Sequence, residues 1–478
     1  MMHKIKQVSL GIALLPILFL TVLLSLNVYY YGDDSLSGAN QIALVLSAAF
    51  CSLLAARRGT QWDAILEGIK SNISDALPAL LILLLIGSLA GTWLISGVVP
   101  AMIYYGLQIV NPTYFLVAAC IVSAIISVAT GSSWSTIATI GVALLGIGQA
   151  LGISEAMVAG AIISGAYFGD KMSPLSDTTN LAPAMAGTDL VTHIRYMTYT
   201  TLPSIIITLI IFLVLGFNLD VSNSPSDVNV ILTALQSKFY ISPLLFLVPI
   251  AVVVLIVKKI PAIPALFAGT LLGGLAAIIF QPEIVTDLGS TTNYFKASFK
   301  TLINSMSGDT SIVTDNEMIN GLLSNGGMYG MLNTVWLIIC AMCFGGAMEA
   351  SGFLKCISDS LMKLATNTAS LIATTTGTCI FFNMTASDQY LAIVVPGKMF
   401  KDAYKEQGLA PENLSRTLED SGTVTSVLIP WNTCGASQAS ILGVSTFTYL
   451  PYCFFNIISP FMTMLYAIIG YKIRKIKA

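Results

Sequence analysis

From Val8 to Val28 the chain runs without a charged side chain, and apolar segments of about this length recur almost to its end. A helix needs about 20 such residues to cross the hydrocarbon of a bilayer. Within lipid each segment must satisfy its own backbone polar groups, so helices are what these segments can form. Charged residues make up only 10% of the 478 residues, against about 25% in soluble domains. The deficit extends over the whole chain, which predicts an all-α polytopic membrane protein. The opening run is longer than the roughly 7–15 residues of a signal-peptide core, and no small-residue cleavage site follows it, so it reads as the first span. The net charge of −2 comes with no basic patch or stripe, which argues against a nucleic-acid partner.

Other chemistries are excluded in the same way. The eight cysteines are scattered through apolar segments. Cys340 and Cys343 form a CxxC inside WLIICAMCFGG, where they read as small apolar helix residues. Two histidines, His3 and His193, are too few to suggest a zinc site or a His-based hydrolase. No phosphate-binding loop, no GxGxxG after a strand and no GxSxG occurs, so no enzyme is expected, and ATP-driven transport would need a separate subunit.

Span length and the positive-inside rule lay the chain out as about 12–14 segments, fourteen in the fullest count, with both termini cytoplasmic. The basic N-terminus (His3, Lys4, Lys6) goes inside, the loop YGDDSLSGANQ outside, and Arg57-Arg58 inside. The piece QWDAILEGIKSNISDA (61–76) is amphipathic and is expected on the inner surface. Gly97–Val110 is a short interfacial stretch, and span 7 ends at an outer loop rich in Asp, Asn and Ser. The long polar stretch from Gln281 to Gly327 falls outside despite Lys296 and Lys300, since long loops translocate largely regardless of charge.

The two halves resemble each other at an offset of about 255. LAGTWLISG (89–97) matches FGGAMEASG (344–352), ATGSSW (129–134) falls over MTASDQ (384–389), and with one insertion Pro174 aligns with Pro430. The matched spans run in opposite directions, so the repeats are inverted, an arrangement that in transporters brings broken helices together near the midplane. The expected organisation is a two-span segment (1–67), a first inverted repeat (68–217), connecting spans with the long outer loop (218–327), and a second inverted repeat (328–478), with broken or re-entrant helices in both repeats.

The candidate chemistry lies in the breaks. GAYFGDKMSPLSDTTNLAP (165–183) sets Asp170, Lys171, Asp177 and a dense run of hydroxyl and amide side chains within apolar sequence, and Pro174 interrupts the helix that enters it. A polar, proline-broken segment at membrane depth marks a functional site unless it is a solvated cytoplasmic-end loop. Unwound carbonyls with Ser176, Thr178 and Asn180 supply the oxygen ligands that Na⁺ prefers, and Asp177 supplies the charge that offsets its dehydration. Burial and a lysine neighbour act in opposite directions on a carboxyl, which would let Asp170, beside Lys171, take and release a proton. TGSSWST (130–136) adds Ser132 and Thr136, and NMTASDQ (383–389) adds Asn383, Thr385, Ser387 and Asp388, a carboxylate with no basic residue close in sequence. A further break contributes Asn432 and Thr433. Glu419-Asp420-Ser421 lies at the inner mouth or deeper, and Glu349 is either intramembrane or interfacial.

GAYFGDKMSPLSDTTNLAPAMAGTDLVTHIRYM, with GSSWSTIATIGVALLGIG before it and NMTASDQY and EDSGTVTSVLIPWNTCGASQA after it, resembles the NhaC-type sodium/proton antiporter family. The resemblance covers roughly Gly68 to Ile469. It implies membership of the broad ion-transporter superfamily and exchange of cytoplasmic Na⁺ for external H⁺ in a bacterial inner membrane. No cofactor is implied beyond the transported Na⁺ and H⁺. Similar proteins include malate-proton/sodium-lactate exchangers, so the alternative is a Na⁺- or H⁺-coupled exchanger of organic anions or amino acids. The absence of arginine from the breaks at 165–183 and 429–437 favours the inorganic ion. A channel or a structural or receptor membrane protein is the competing class. Asp170, Asp177 and Asp388 are the expected ion and proton sites, with Asp177 the Na⁺ ligand and the polar residues named above lining the path. The expected partners are Na⁺, H⁺, a small organic solute in the alternative, and the lipid bilayer, with a homodimer left as an open assembly option.

Overall fold

The computed structural model describes residues 8–476, apart from 32–34, 36, 110, 220–224, 315–319 and 321–322. The basic N-terminus and parts of the outer loops after spans 1 and 7 lie outside the described residues. The chain is almost entirely helical. It opens with α1 (Leu10–Tyr31), α2 (Ala39–Ala56), α3 (Trp62–Ile95), α4 (Val98–Ile109), α5 (Pro112–Thr130) and α6 (Ser133–Ala150). Next come α7 (Glu155–Met172), α8 (Asp177–Ala186), α9 (Leu190–Phe217), α10 (Pro225–Lys238), α11 (Pro243–Val257) and α12 (Ala262–Phe280). α13 (Pro282–Gly289), α14 (Tyr294–Ser307) and a two-residue antiparallel pair, β1 (Thr310–Ser311) with β2 (Ser324–Asn325), fill the stretch read as an outer loop. The second half holds α15 (Gly327–Ala350), α16 (Phe353–Met362), α17 (Thr368–Thr385), α18 (Leu391–Glu406), α19 (Pro411–Leu418), α20 (Thr433–Leu442), α21 (Thr446–Tyr452) and α22 (Phe454–Ile469).

Among the described residues, eight helices are long and apolar enough to cross a membrane. Counting the bent pairs α10–α11 (84°) and α21–α22 (57°) as one span each gives ten. The four remaining expected spans are α7–α8, α17, α18 and α19–α20. They fall short because their polar breaks divide them or lower their hydropathy, so the deficit coincides with the candidate site.

One expectation is corrected. The piece expected on the inner surface is not detached from span 3: after the cap residue Gln61, residues 62–76 form the first turns of α3, a continuous helix of 34 residues, about 50 Å at 1.5 Å per residue. The reason is close backbone approach. A β-carbon at Gly68 would meet Gly346 O of α15 at 2.9 Å, so only glycine lets the two helices touch there. Without a hydrophobic effect between helices in lipid, small residues that permit such contact drive association. The same device recurs. Gly87 and Gly91, spaced GxxxG, admit Gly327 and the Ser305 backbone, so the long polar stretch is anchored on α3. Gly165 and Gly169, again GxxxG, admit the α5 backbone at Cys120 and Ala124, and Ser127 Oγ donates to Ala166 O at 2.6 Å.

The C-terminus is tied back onto the bundle. Ile476 N donates to Gly408 O (2.9 Å), Arg474 pairs with Glu412 (2.7 Å), and the Arg416 guanidinium lies 4.5 Å from the Tyr196 ring of α9. This strap holds α19, whose next turn carries Glu419 and Asp420.

Gly165→Val tests the packing of α5 on α7. Its first added carbon would stand 2.8 Å from the Cys120 carbonyl carbon, and overpacking of this kind costs about 1–3 kcal/mol. Thermal unfolding of the detergent-solubilised protein should show a Tm lowered by several degrees; an unchanged Tm would contradict the contact.

Candidate functional site

Four breaks in the helices meet at one cavity of about 710 Å³. Each is built from local chemistry. After α5, Gly131 adopts φ +69°, and Ser132 caps α6 by accepting from Ser135 N at 3.2 Å. After α7, Pro174 cannot continue the helix; Ser173 Oγ donates to Val128 O (2.7 Å), and Ser176 caps α8. After α17, Ser387 adopts φ +59°, and the Asp388 carboxylate accepts from Leu391 N (3.0 Å) at the start of α18. After α19 the chain passes through a π turn (Glu419–Thr423) and a 3₁₀ turn (Ser426–Leu428), and Asn432 then caps α20 by accepting from Cys434 N at 3.0 Å.

The three expected carboxylates share one electrostatic setting. Asp170 Oδ2 accepts from Ser133 N (3.1 Å) and Ser133 Oγ (2.7 Å) at the first residue of α6. Asp177 opens α8, and Asp388 sits at the start of α18. Unpaired N–H groups and the positive end of the helix dipole make a helix N-terminus a place where negative charge is offset. All three line the cavity, as do Ser132, Ser176, Thr178 and Thr433. Asp177 is exposed to it and accepts from Tyr390 OH at 3.3 Å.

The other expected residues do not line the cavity, and Asn180 is exposed. Thr136 Oγ1 donates to Ser132 O (2.9 Å), and Asn180 Nδ2 to Pro174 O (3.0 Å) and Ser176 O (2.7 Å). Asn432 Nδ2 donates to Asn383 O (3.0 Å), Thr433 N to Ser387 O (3.0 Å), and Thr385 Oγ1 back to Phe381 O (2.7 Å). Asn432 and Thr433 join two breaks and Asn180 closes one, whereas Thr385 bonds only the preceding turn of its own helix.

The expected pairing of Asp170 with Lys171 is not formed. Consecutive helical residues point about 100° apart, so the two side chains leave α7 in different directions. Asp170 turns to α6, while Lys171, fully buried, pairs with the fully buried Asp420, which also accepts from Ser459 and Thr463 of α22. Glu419, also fully buried, accepts from Thr178 Oγ1 at 2.9 Å. Both acids are therefore enclosed by protein rather than open to solvent. Glu349 is exposed and accepts from Asn72 Nδ2 at 2.9 Å, which makes it a peripheral link to α3. Asp75, Lys259 and the rings of Trp134 and Tyr390 also line the cavity and were not anticipated. Asp75 became legible only once residues 62–76 proved to be part of α3.

A polytopic helical bundle whose broken helices converge on an acidic cavity is a membrane transporter. A sequence profile of the Na⁺/H⁺ antiporter family matches residues 165–471. Over 434 residues the chain is 40% identical to the Na⁺/H⁺ antiporter NhaC of Alkalihalophilus pseudofirmus, covering 91% of this chain and 90% of that one. It is 37% identical over 465 residues to the malate-2H⁺/Na⁺-lactate antiporter of Bacillus subtilis (97% and 94% covered), and 34% identical over 471 residues to the arginine/ornithine antiporter ArcD of Halobacterium salinarum (98% and 93%). The chain belongs to the Na⁺/H⁺ antiporter family.

Removing one partner of a buried ion pair strands the other charge, at a cost of about 3–5 kcal/mol, whereas replacing both with apolar residues is often neutral. Lys171→Met should therefore lower Tm sharply, and the double variant Lys171→Met/Asp420→Leu should recover much of the loss. Additive losses in that thermodynamic cycle would show that the two residues do not interact.

Proposed function

We propose that this protein is a secondary Na⁺/H⁺ antiporter that expels cytoplasmic Na⁺ in exchange for external H⁺ across a bacterial inner membrane, with both termini cytoplasmic. The observation that carries this reading is the charge of the cavity: among the described residues, Asp75, Asp170, Asp177 and Asp388 line it against a single ammonium, Lys259. Such a lining attracts a small cation. Carboxylate, hydroxyl and carbonyl oxygens replace part of its hydration shell, and the carboxylate charge offsets the cost of removing the rest. Asp177 and Asp388 would hold Na⁺ from opposite halves of the chain, with Asp170, Ser132, Ser176, Thr178 and Thr433 around them.

The two halves supply breaks in the same order, at 131 and 387 and at 174 and 430. This order supports reading 68–217 and 328–478 as inverted repeats, whose rocking around a fixed site would expose it to each side in turn.

A second reading rests on size. A cavity of about 710 Å³ lies within the roughly 300–1,000 Å³ range of small-molecule sites, so an organic solute fits beside the ion. The acidic lining suits a solute bearing an amino group better than a dicarboxylate.

Reconstitution into liposomes with an internal pH dye tests both readings. A Na⁺ gradient alone should move protons. Proton movement that requires malate, lactate or an amino acid would replace the first reading with the second. Asp177→Asn should abolish exchange in a protein that still folds; exchange at the wild-type rate would remove Asp177 from the site.

A further inference from the structure

Glu419 lies beyond the cavity lining and is not used by the ion site described above. Its side chain is fully buried, and Oε1 accepts from Thr178 Oγ1 at 2.9 Å. Oε2 is buried and, among the described residues, has no hydrogen-bond partner. The hydroxyl of Thr423, one turn later, meets no strict hydrogen-bond geometry but stands beside the carboxyl group and acts on it. An unpartnered buried carboxylate oxygen is expensive in a medium of low polarity, and a charged one at membrane depth is characteristically functional.

A short chain of hydroxyls leads from this group to the cavity. Thr178 Oγ1 is 3.2 Å from Ser176 Oγ, and both residues reach the cavity wall beside Asp170. The elements packed around Glu419 differ in charge. α7 presents Lys171 and Asp170, and Asp177 begins α8. α17 and α22 contain no charged residue, and the charges of α18 begin only at Lys398. Asp420 and Arg416 are its neighbours on its own segment, the first paired with Lys171 and the second stacked on Tyr196.

We propose that Glu419 carries the transported proton and exchanges it with the cavity through Thr178 and Ser176. This rests on the antiport reading above. On release, the carboxyl proton moves to Thr178 Oγ1 while the proton of Thr178 passes to Ser176 Oγ. The proton of Ser176 then passes to water or a carboxylate in the cavity. One proton leaves, and Glu419 remains as a carboxylate accepting from Thr178, the arrangement seen in the structure. Loading is the same sequence reversed. Lys171 lies close enough to offset the charge left behind, while its own bond is to Asp420. Proton and Na⁺ thus occupy different carboxyl groups coupled through one helix start, that of α8.

The test uses full-length protein in liposomes, with two readouts: proton movement driven by a Na⁺ gradient, and exchange of radiolabelled Na⁺ for unlabelled Na⁺ at fixed pH. Glu419→Gln should cut proton movement by about a hundredfold, the scale of a lost proton-transfer group, and should leave Na⁺/Na⁺ exchange running. Thr178→Val should slow proton movement in the same direction, and Glu419→Asp should restore part of it with a shifted pH profile. Proton movement retained in Glu419→Gln would overturn the proposal. So would loss of both readouts in a variant with wild-type Tm, because Glu419 would then belong to the Na⁺ site. If wild-type protein moves no protons in response to Na⁺, the antiport reading itself fails, a result distinct from either.

Discussion

Within a bilayer no water is available to a freed backbone group, and four interrupted helices would be untenable if each faced lipid. The structure answers by bringing all four interruptions together. Each break ends in a side chain that caps the next helix: Ser132, Ser176, Asp388 and Asn432. Carbonyls left by one break are taken up by residues of another, as when Thr433 N donates to Ser387 O. The helix starts that result point their positive ends at one cavity, and the acidic side chains there are the counterpart of that field. The site is a consequence of how the backbone is satisfied.

That arrangement needs helices able to approach closely and hold still. The GxxxG pairs on α3 and α7 allow backbone contact with α14, α15 and α5. The polar residues of α19 and its π turn could not be left in lipid, and the bundle encloses them. Lys171 and Asp420 neutralise each other there, joining α7 to the second half of the chain. The C-terminal strap at Tyr196, Glu412 and Arg474 holds the start of the same helix, so the positions of Glu419 and Asp420 are set from both ends.

The breaks themselves were legible in the sequence. Pro174 between hydroxyl-bearing residues, and Asp388 isolated in apolar sequence, are local violations of what lipid tolerates, and such violations can be seen without knowing any neighbour. The partner of Lys171 was not legible. Adjacency in sequence suggested Asp170, but consecutive helical residues diverge, and Asp420 lies 249 positions away. Asp75 was hidden for a similar reason. Its segment is amphipathic, and only contact between Gly68 and Gly346 shows that it continues α3 toward the cavity.

The sequence alone determined that this chain spans a membrane, where its helices are interrupted, and which acids cannot be there by accident. These follow from the cost of burying charge and unpaired backbone in hydrocarbon, a property of each segment by itself. Tertiary structure decided which carboxylates share one cavity, that Asn383 and Asn432 join two breaks behind its lining, and that Lys171 and Glu419 lie beyond its wall. Those outcomes depend on helix packing and side-chain direction, which join residues hundreds of positions apart and leave no mark on local sequence. The stretch from Gly165 to Pro183 shows both: its polarity marked a candidate site, and its fold sent Asp170, Lys171 and Asp177 to three different partners.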